Sequence, residues 1–252
     1  MSAKKLLILG GTGDGAAFAR RAHAHYGDRV EIIISYSGIT GHQPDLPCAV
    51  RVGGFGGMGG LIDYIKAESI THMVDATHPY AEKISHHAYG AAFETETPLA
   101  VLWREEWRAD LKDRWLDVDD MDAAVRAVEQ FGRKTLITTG IKDVSAFAEL
   151  DEDISLVVRL VNEPKEDLAL NNYEMVISRP PYDVEKERQL IRDYHIQVMV
   201  SKNSGGAATY AKIEAARAEG IGVIMIKRPP LEPLDYISEP DEMLEWLTVH
   251  GL

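Results

Sequence analysis

Short apolar runs alternate with segments of helical periodicity along the whole chain, the pattern of β-α-β units that build a parallel sheet covered on both faces. Strands are predicted near 4–9, 30–36, 70–75, 98–102, 134–138, 154–159, 174–178, 197–201 and 221–226. Helices are predicted near 14–26, 58–67, 80–93, 119–131, 142–149, 183–194, 206–219 and 239–249. LLILGGTG at 6–13 and TLITTGIK at 135–142 are both apolar strands that run into a Thr/Gly turn opening a helix. That echo implies two Rossmann-like α/β domains with parallel sheets, an active-site cleft between them, and a boundary near residue 132. Residues 1–132 would form a dinucleotide-binding domain and residues 133–252 a second, substrate-binding α/β domain. The charged, tryptophan-rich stretch 103–118 reads as the crossing between the halves.

Composition narrows the function classes. The 252 residues are 45% hydrophobic and 27% charged, as in an ordinary globular protein. One cysteine, Cys48, excludes a disulfide framework and any multi-cysteine metal site, so no metal is expected and a reducing compartment is. Glycines interrupt the opening MSAKKLLILGG before it reaches leader or membrane-span length, which points to a cytoplasmic protein with no membrane partner. The formal charge of −13 opposes nucleic-acid binding, and an anionic ligand therefore needs a local basic site. Residues 202–228 supply one, with Lys202, Lys212, Arg217, Lys227 and Arg228 against Glu214 and Glu219.

Five segments carry candidate chemistry. In Gly10-Gly11-Thr12-Gly13-Asp14-Gly15-Ala16, between a strand and an Ala-rich helix, Gly11, Gly13 and Ala16 satisfy the dinucleotide fingerprint, whose glycines let backbone approach a pyrophosphate at a helix N-terminus. The second strand ends in Ser35, Tyr36, Ser37 and Gly38, where an acid would grip the ribose of NAD. Its absence favours NADPH, with NADH as the alternative, and Arg51 is placed to supply charge from a neighbouring strand. The glycine-rich run from Gly53 and Gly54 to Gly60 permits further close approach to a cofactor. Asp75-Ala76-Thr77-His78-Pro79-Tyr80 follows the strand at which a doubly wound sheet binds ligands, so Thr77 is a helix cap or a cofactor contact and Asp75, His78 and Tyr80 are the candidates for proton chemistry. In the second half Lys202-Asn203-Ser204-Gly205-Gly206, then Thr209 and Lys212 on one face of the following helix, combine amides, hydroxyls and cations suited to a carboxylate or phosphate. Thr138, Thr139, Gly140 and Arg179 end other strands of that half and complete the expected substrate rim.

The stretches LILGGTGDG, RVGGFGGMGGL, VDATHPYAEKIS, LITTG, VSKNSGG with Thr209 and Lys212, and VIMIKRP, spread over residues 6–229, resemble the precorrin-6A reductase family of cobalamin biosynthesis. Gly13 departs from that pattern, which has a second threonine there in many members. The resemblance implies reduction of a macrocyclic double bond in precorrin-6A, or its cobalt form, by a reduced nicotinamide cofactor. It also implies an anionic tetrapyrrole as ligand and neighbouring enzymes of the pathway as partners. Three other readings compete. A short-chain dehydrogenase needs a Tyr-x-x-x-Lys in its first domain, and the match here, Tyr182 to Lys186, falls in the second half. A tetrapyrrole lyase or synthase would bind no nucleotide, and a two-lobed ligand-binding module would turn nothing over.

Overall fold

The computed structural model describes residues 4–38 and 44–252; Met1–Ala3, part of the opening segment read above, lie outside the described residues. The chain divides into two compact units, one of 1–104 with 229–252 and the other of 105–228. Each contains a six-stranded sheet whose strands are all parallel, covered by helices in the Rossmann manner.

Unit 1 runs β1 (Lys4–Leu9), α1 (Gly13–Tyr26), β2 (Val30–Tyr36), β3 (Ala49–Val52), α2 (Met58–Glu68), β4 (His72–Asp75), α3 (Glu82–Thr95) and β5 (Leu99–Leu102). Unit 2 runs β6 (Trp115–Val118), α4 (Met121–Phe131), β7 (Lys134–Ile137), β8 (Ser155–Leu160), β9 (Tyr173–Ile177), α5 (Val184–Asp193), β10 (Val198–Lys202), α6 (Ala211–Glu219) and β11 (Gly222–Ile226). The chain then returns to unit 1 with β12 (Asp235–Ile237) and α7 (Pro240–Val249). Sheet order is β12-β5-β4-β1-β2-β3 in unit 1 and β6-β11-β10-β7-β8-β9 in unit 2.

The boundary expected near residue 132 is corrected by strand pairing. β6 aligns Trp115 with Val223 and Val118 with Ile226 of β11, so residues 105–132 belong to the second unit. β12 aligns Asp235 with Ala100 and Ile237 with Leu102 of β5, which returns the C-terminal segment to the first. The sixth strand of the first sheet, β12, thus comes from chain that follows the second unit, while that of the second sheet, β6, comes from the segment that precedes its other five strands. These short strands, and β3, were not expected, because four-residue or shorter runs with polar positions leave little periodic signal.

The cores follow the strand alternation. In unit 1, Leu6, Ile8, Ile32 and Ile34 pack with Phe18 and Ala22 of α1 and Leu247 of α7. On the opposite face, Leu7, Leu9, Ile33 and Met73 pack with Leu61 and Ile65 of α2 and Ala88 of α3. In unit 2, Leu136, Val157 and Met199 pack with Ile191 of α5 and Ile213 of α6. Because both faces are buried, the central strands read as continuous apolar runs, and the ligand-facing positions are pushed to their carboxyl ends.

Each sheet reverses direction of build at one place. In unit 1 the chain moves outward from β1 to β3 and resumes at β4 beside β1; in unit 2 it moves from β7 to β9 and resumes at β10 beside β7. These are the topological switch points, where the crossover helices leave on opposite faces and a crevice opens. The loops Gly10–Gly15 and Asp75–Tyr80 stand at the first, and Thr138–Gly140 and Lys202–Thr209 at the second.

Candidate active site

At the first switch point the glycine loop is closed by threonine rather than by glycine alone. Thr12 caps α1: its Oγ1 accepts from Gly15 N at 3.0 Å and donates to the Ala76 carbonyl at 2.8 Å. One hydroxyl therefore ties the glycine loop to the end of β4. Gly10 N donates to the Ser35 carbonyl at 2.8 Å, seating the loop against β2. Gly11 has φ of 139°, which a side chain opposes, and among the described residues no atom beyond its chain neighbours stands within 4 Å of where its Cβ would be. Gly13 shares that open space at the first turn of α1. Helix and strand approach closely at Gly15, whose Cβ would sit 3.1 Å from that of Ala76. Asp14, expected to face a cofactor, pairs with Arg104 at 2.8 Å. Burial lowers the Arg104 pKa, and Asp14 opposes that shift.

In the loop after β4, Asp75, one of the candidates for proton chemistry, is engaged by its own loop and helix. This buried carboxylate accepts from Thr77 N at 2.9 Å and Thr77 Oγ1 at 2.7 Å through Oδ1, and from Ser85 Oγ at 2.6 Å through Oδ2. Both oxygens are occupied, so Asp75 holds the loop in shape, and the Thr77 hydroxyl proton is spent on it. α3 begins at Glu82, so neither Thr77 nor Tyr80 starts a helix. His78 accepts from Tyr80 N through Nδ1 at 3.3 Å, with the two rings 5.6 Å apart. Thr77, His78, Ser85, Trp103, Arg104 and Tyr236 line one pocket of unit 1. Ser85 closes the stretch VDATHPYAEKIS but was given no role there, and Arg104 was missed because the carboxylate it meets, Asp14, lies far away along the chain.

At the end of β2, Ser35 is buried while Ser37 and Gly38 are exposed. Gly53 and Gly54, expected to contact a cofactor by backbone approach, turn their carbonyls to the Arg51 guanidinium at 2.5 and 2.9 Å.

The second switch point is built around an amine. Lys212 in the first turn of α6 is 4% exposed; its Nζ donates to Thr138 Oγ1 at 3.1 Å and lies 5.5 Å from the centroid of the Trp107 ring. Burial first, then the Arg159 cation, pushes its pKa down to about 7; Glu187 opposes and Lys202 adds to the fall. Thr138 passes its own proton to the Val200 carbonyl at 2.8 Å. The neighbouring Thr139 Oγ1 is buried without a hydrogen-bond partner among the described residues. Arg159 and Glu187 form a buried pair at 2.5 Å beneath Tyr182, whose ring centroid is 4.1 Å from the guanidinium carbon. That pair was also missed, although Arg159 is the one cation within the apolar run of β8.

The rest of the expected basic cluster is largely neutralised. Lys202 meets Asp143 at 2.5 Å, Arg217 meets Asp113 at 2.9 Å, Lys227 meets Asp119 at 2.6 Å and Arg228 lies 3.8 Å from Glu106. Lys212 has no such acid among the described residues. α6 begins at Ala211 rather than 206, so Thr209 precedes the helix and does not share a face of it with Lys212. Thr209 lies 3.4 Å from Ser204 Oγ instead. Asn203 spends its amide on the backbone of Trp107, receiving its N–H at 2.8 Å and donating to its carbonyl at 2.9 Å, while Gly206 accepts from the Trp107 indole at 2.9 Å. Gly140 and Gly205 sit in these loops with φ of 92° and 68°. Arg179 is turned to the Val161 carbonyl and Asn162. The helix expected at 142–149 is a short 3₁₀ turn, Val144–Phe147. Among the described residues no group of three or more His, Cys, Asp or Glu side chains could hold a metal, and no helix is long and apolar enough to cross a membrane.

A sequence profile described as precorrin-6x reductase CbiJ/CobK matches residues 5–248. The chain belongs to this family. A family relative from Rhodobacter capsulatus, named precorrin-6A reductase, is 37% identical over 98% of this chain and 97% of its own. Another with that name, from Mycobacterium tuberculosis, is 40% identical over 90% of each chain. The family's solved structure titled CobK precorrin-6A reductase superposes with a TM-score of 0.91 at 36% identity, covering 98% of this chain and 97% of that one.

Proposed function

We propose that this reductase binds NADPH at the first switch point and uses it to reduce a ring double bond of precorrin-6A, held by its carboxylates at the second. Membership of a reductase family supports the reaction class, and the names of the relatives reported above support precorrin-6A as the substrate in cobalamin biosynthesis. The observation that carries the cofactor assignment is the space over Gly11 and Gly13 at the capped N-terminus of α1, a cradle that side chains would fill. The residues there fit a dinucleotide: backbone amides and a helix N-terminus for the pyrophosphate, and at the end of β2 hydroxyls rather than an acid, which favours a 2′-phosphate. Among them, Gly10–Gly13, Ser35, Ser37 and Gly38 would hold it.

When bound, a reduced nicotinamide supplies a hydride. The chain's own contribution is positioning and charge. Asp75, locked by Thr77 and Ser85, shapes the loop that carries His78 and Tyr80, and these two remain the candidates in unit 1 for handling the accompanying proton. Lys212, with the Thr139 hydroxyl beside Thr138, is suited to a substrate carboxylate, since a buried cation with one hydrogen bond and no acid gains from an anion. Lys202 would exchange Asp143 for a second carboxylate. The half-buried Cys48 suits a reducing cytoplasm.

The test is anaerobic incubation of the purified protein with precorrin-6A and NADPH, following NADPH oxidation and product mass. A stoichiometric gain of two hydrogens supports the proposal; binding of the macrocycle with no nucleotide consumption would favour a nucleotide-free lyase or synthase.

A further inference from the structure

Most of the arginines described above end in a carboxylate: Arg104 on Asp14, Arg159 on Glu187, Arg217 on Asp113. Arg51 does not. It lies on the edge strand β3, in register opposite Ser35 of β2, so the two side chains share one face of the sheet. Its Nη1 donates to Ser35 Oγ at 3.1 Å and to the Gly53 carbonyl at 2.5 Å, and its Nη2 donates to the Gly54 carbonyl at 2.9 Å. The guanidinium carbon sits 3.9 Å from the centroid of the Phe55 ring and 5.1 Å from that of Tyr64. The fork is therefore fixed in place by neutral oxygens and aromatic faces, with no acid among its described partners.

Three of the five N–H groups of the guanidinium are used, which leaves Nε–H and one Nη2–H. Fixing a guanidinium without neutralising it is the construction expected where a planar, bidentate cation waits for an external anion. The position defines which anion. Ser35 is the residue at the end of β2 whose neighbourhood receives the ribose of a dinucleotide in a doubly wound sheet, and an acid is missing from Ser35, Tyr36, Ser37 and Gly38. In a protein of formal charge −13 an uncompensated cation at this spot is also the local exception.

We infer that Arg51, braced by Ser35 and the Gly53–Gly54 carbonyls, is the residue that selects a 2′-phosphorylated adenosine and so sets the preference for NADPH over NADH. The inference rests on the dinucleotide reading proposed above. It goes further by naming the group that discriminates and by assigning the glycine-rich segment after β3 to holding that group.

The test measures binding rather than turnover. The intact protein and Arg51→Leu are titrated with NADPH, NADH, adenosine 2′,5′-bisphosphate and AMP at low and at raised ionic strength. Loss of a charge-assisted pair predicts that Arg51→Leu weakens NADPH and the bisphosphate by roughly ten- to a hundredfold, while NADH and AMP change by less than about threefold. Arg51→Lys, which keeps the charge and loses the fork, should retain part of the preference. In the unaltered protein the NADPH-to-NADH ratio should fall as salt rises, a readout that needs no variant. Equal loss of NADPH and NADH in Arg51→Leu would make Arg51 a brace of its loop and overturn the inference. So would equal, salt-insensitive affinities in the unaltered protein, although NADH-supported reduction of precorrin-6A would then leave the reductase reading standing. Failure to bind any of the four nucleotides would overturn both.

Discussion

The two switch points share one construction and differ in what the first turn after the strand carries. After β1 come Gly11 and Gly13, a threonine cap and open space; after β10 comes a loop that delivers a buried Lys212 onto the hydroxyl of Thr138. In unit 1 the buried carboxylate is fully used by Thr77 and Ser85, so the crevice presents amides and hydroxyls. In unit 2 the buried amine has no acid partner among the described residues, so the crevice presents charge. On the proposed reading, the same scaffold would hold a pyrophosphate on open backbone at one place and a carboxylate on a buried amine at the other.

The sharpest way to break this comparison is Gly11→Val. A β-branched side chain at φ of 139°, pointing into the cradle, should weaken NADPH by more than about a hundredfold while the circular dichroism spectrum is retained and precorrin-6A still binds. Next is Lys212→Met, which should lower kcat/KM by roughly ten- to a hundredfold without changing NADPH affinity. Because the Lys212 pKa is held near 7, carboxylate binding should weaken above that pH, as the amine loses its charge. The stability effect has the opposite sign. Between about 7 and the ordinary 10.5 the unfolded chain holds the Lys212 proton and the folded one does not, so stability rises with pH across that window. Lys212→Met should flatten the rise and raise Tm at neutral pH, measured by thermal melts.

Lys202→Met should act less, raising KM by about three- to tenfold, since Asp143 already neutralises this lysine and must be displaced by any substrate group. The smallest effect concerns a buried anchor of β4. Burial lowers the pKa of His72, which bonds the His250 carbonyl at 3.0 Å, so the unfolded state takes up the proton first as pH falls below about 6.5. Denaturant titrations should show stability declining through that pH, and His72→Gln should remove the dependence.

The strong periodic elements and both switch-point loops were legible because buried parallel strands leave unmistakable apolar runs such as Leu6–Leu9 and Val198–Val200. The unit boundary was not, since what moves residues 105–132 and 229–252 between units is pairing of β6 and β12, each too short to declare itself. Residue types at the sites were also visible, but their commitments were not: nothing in the sequence tells Lys202, paired with Asp143, from Lys212, paired with no acid, or shows that Asp75 spends both oxygens on its own loop and helix. Such distinctions depend on partners far along the chain, Trp107 for Asn203 and Ser35 for Arg51 among them.

The division of labour between the two units is tested most directly by crossed titration of Gly11→Val and Lys212→Met with NADPH and with precorrin-6A. The account predicts that the first variant loses NADPH and keeps the macrocycle, and that the second loses the macrocycle and keeps NADPH. A Lys212→Met protein that binds precorrin-6A normally but no longer binds NADPH would contradict it.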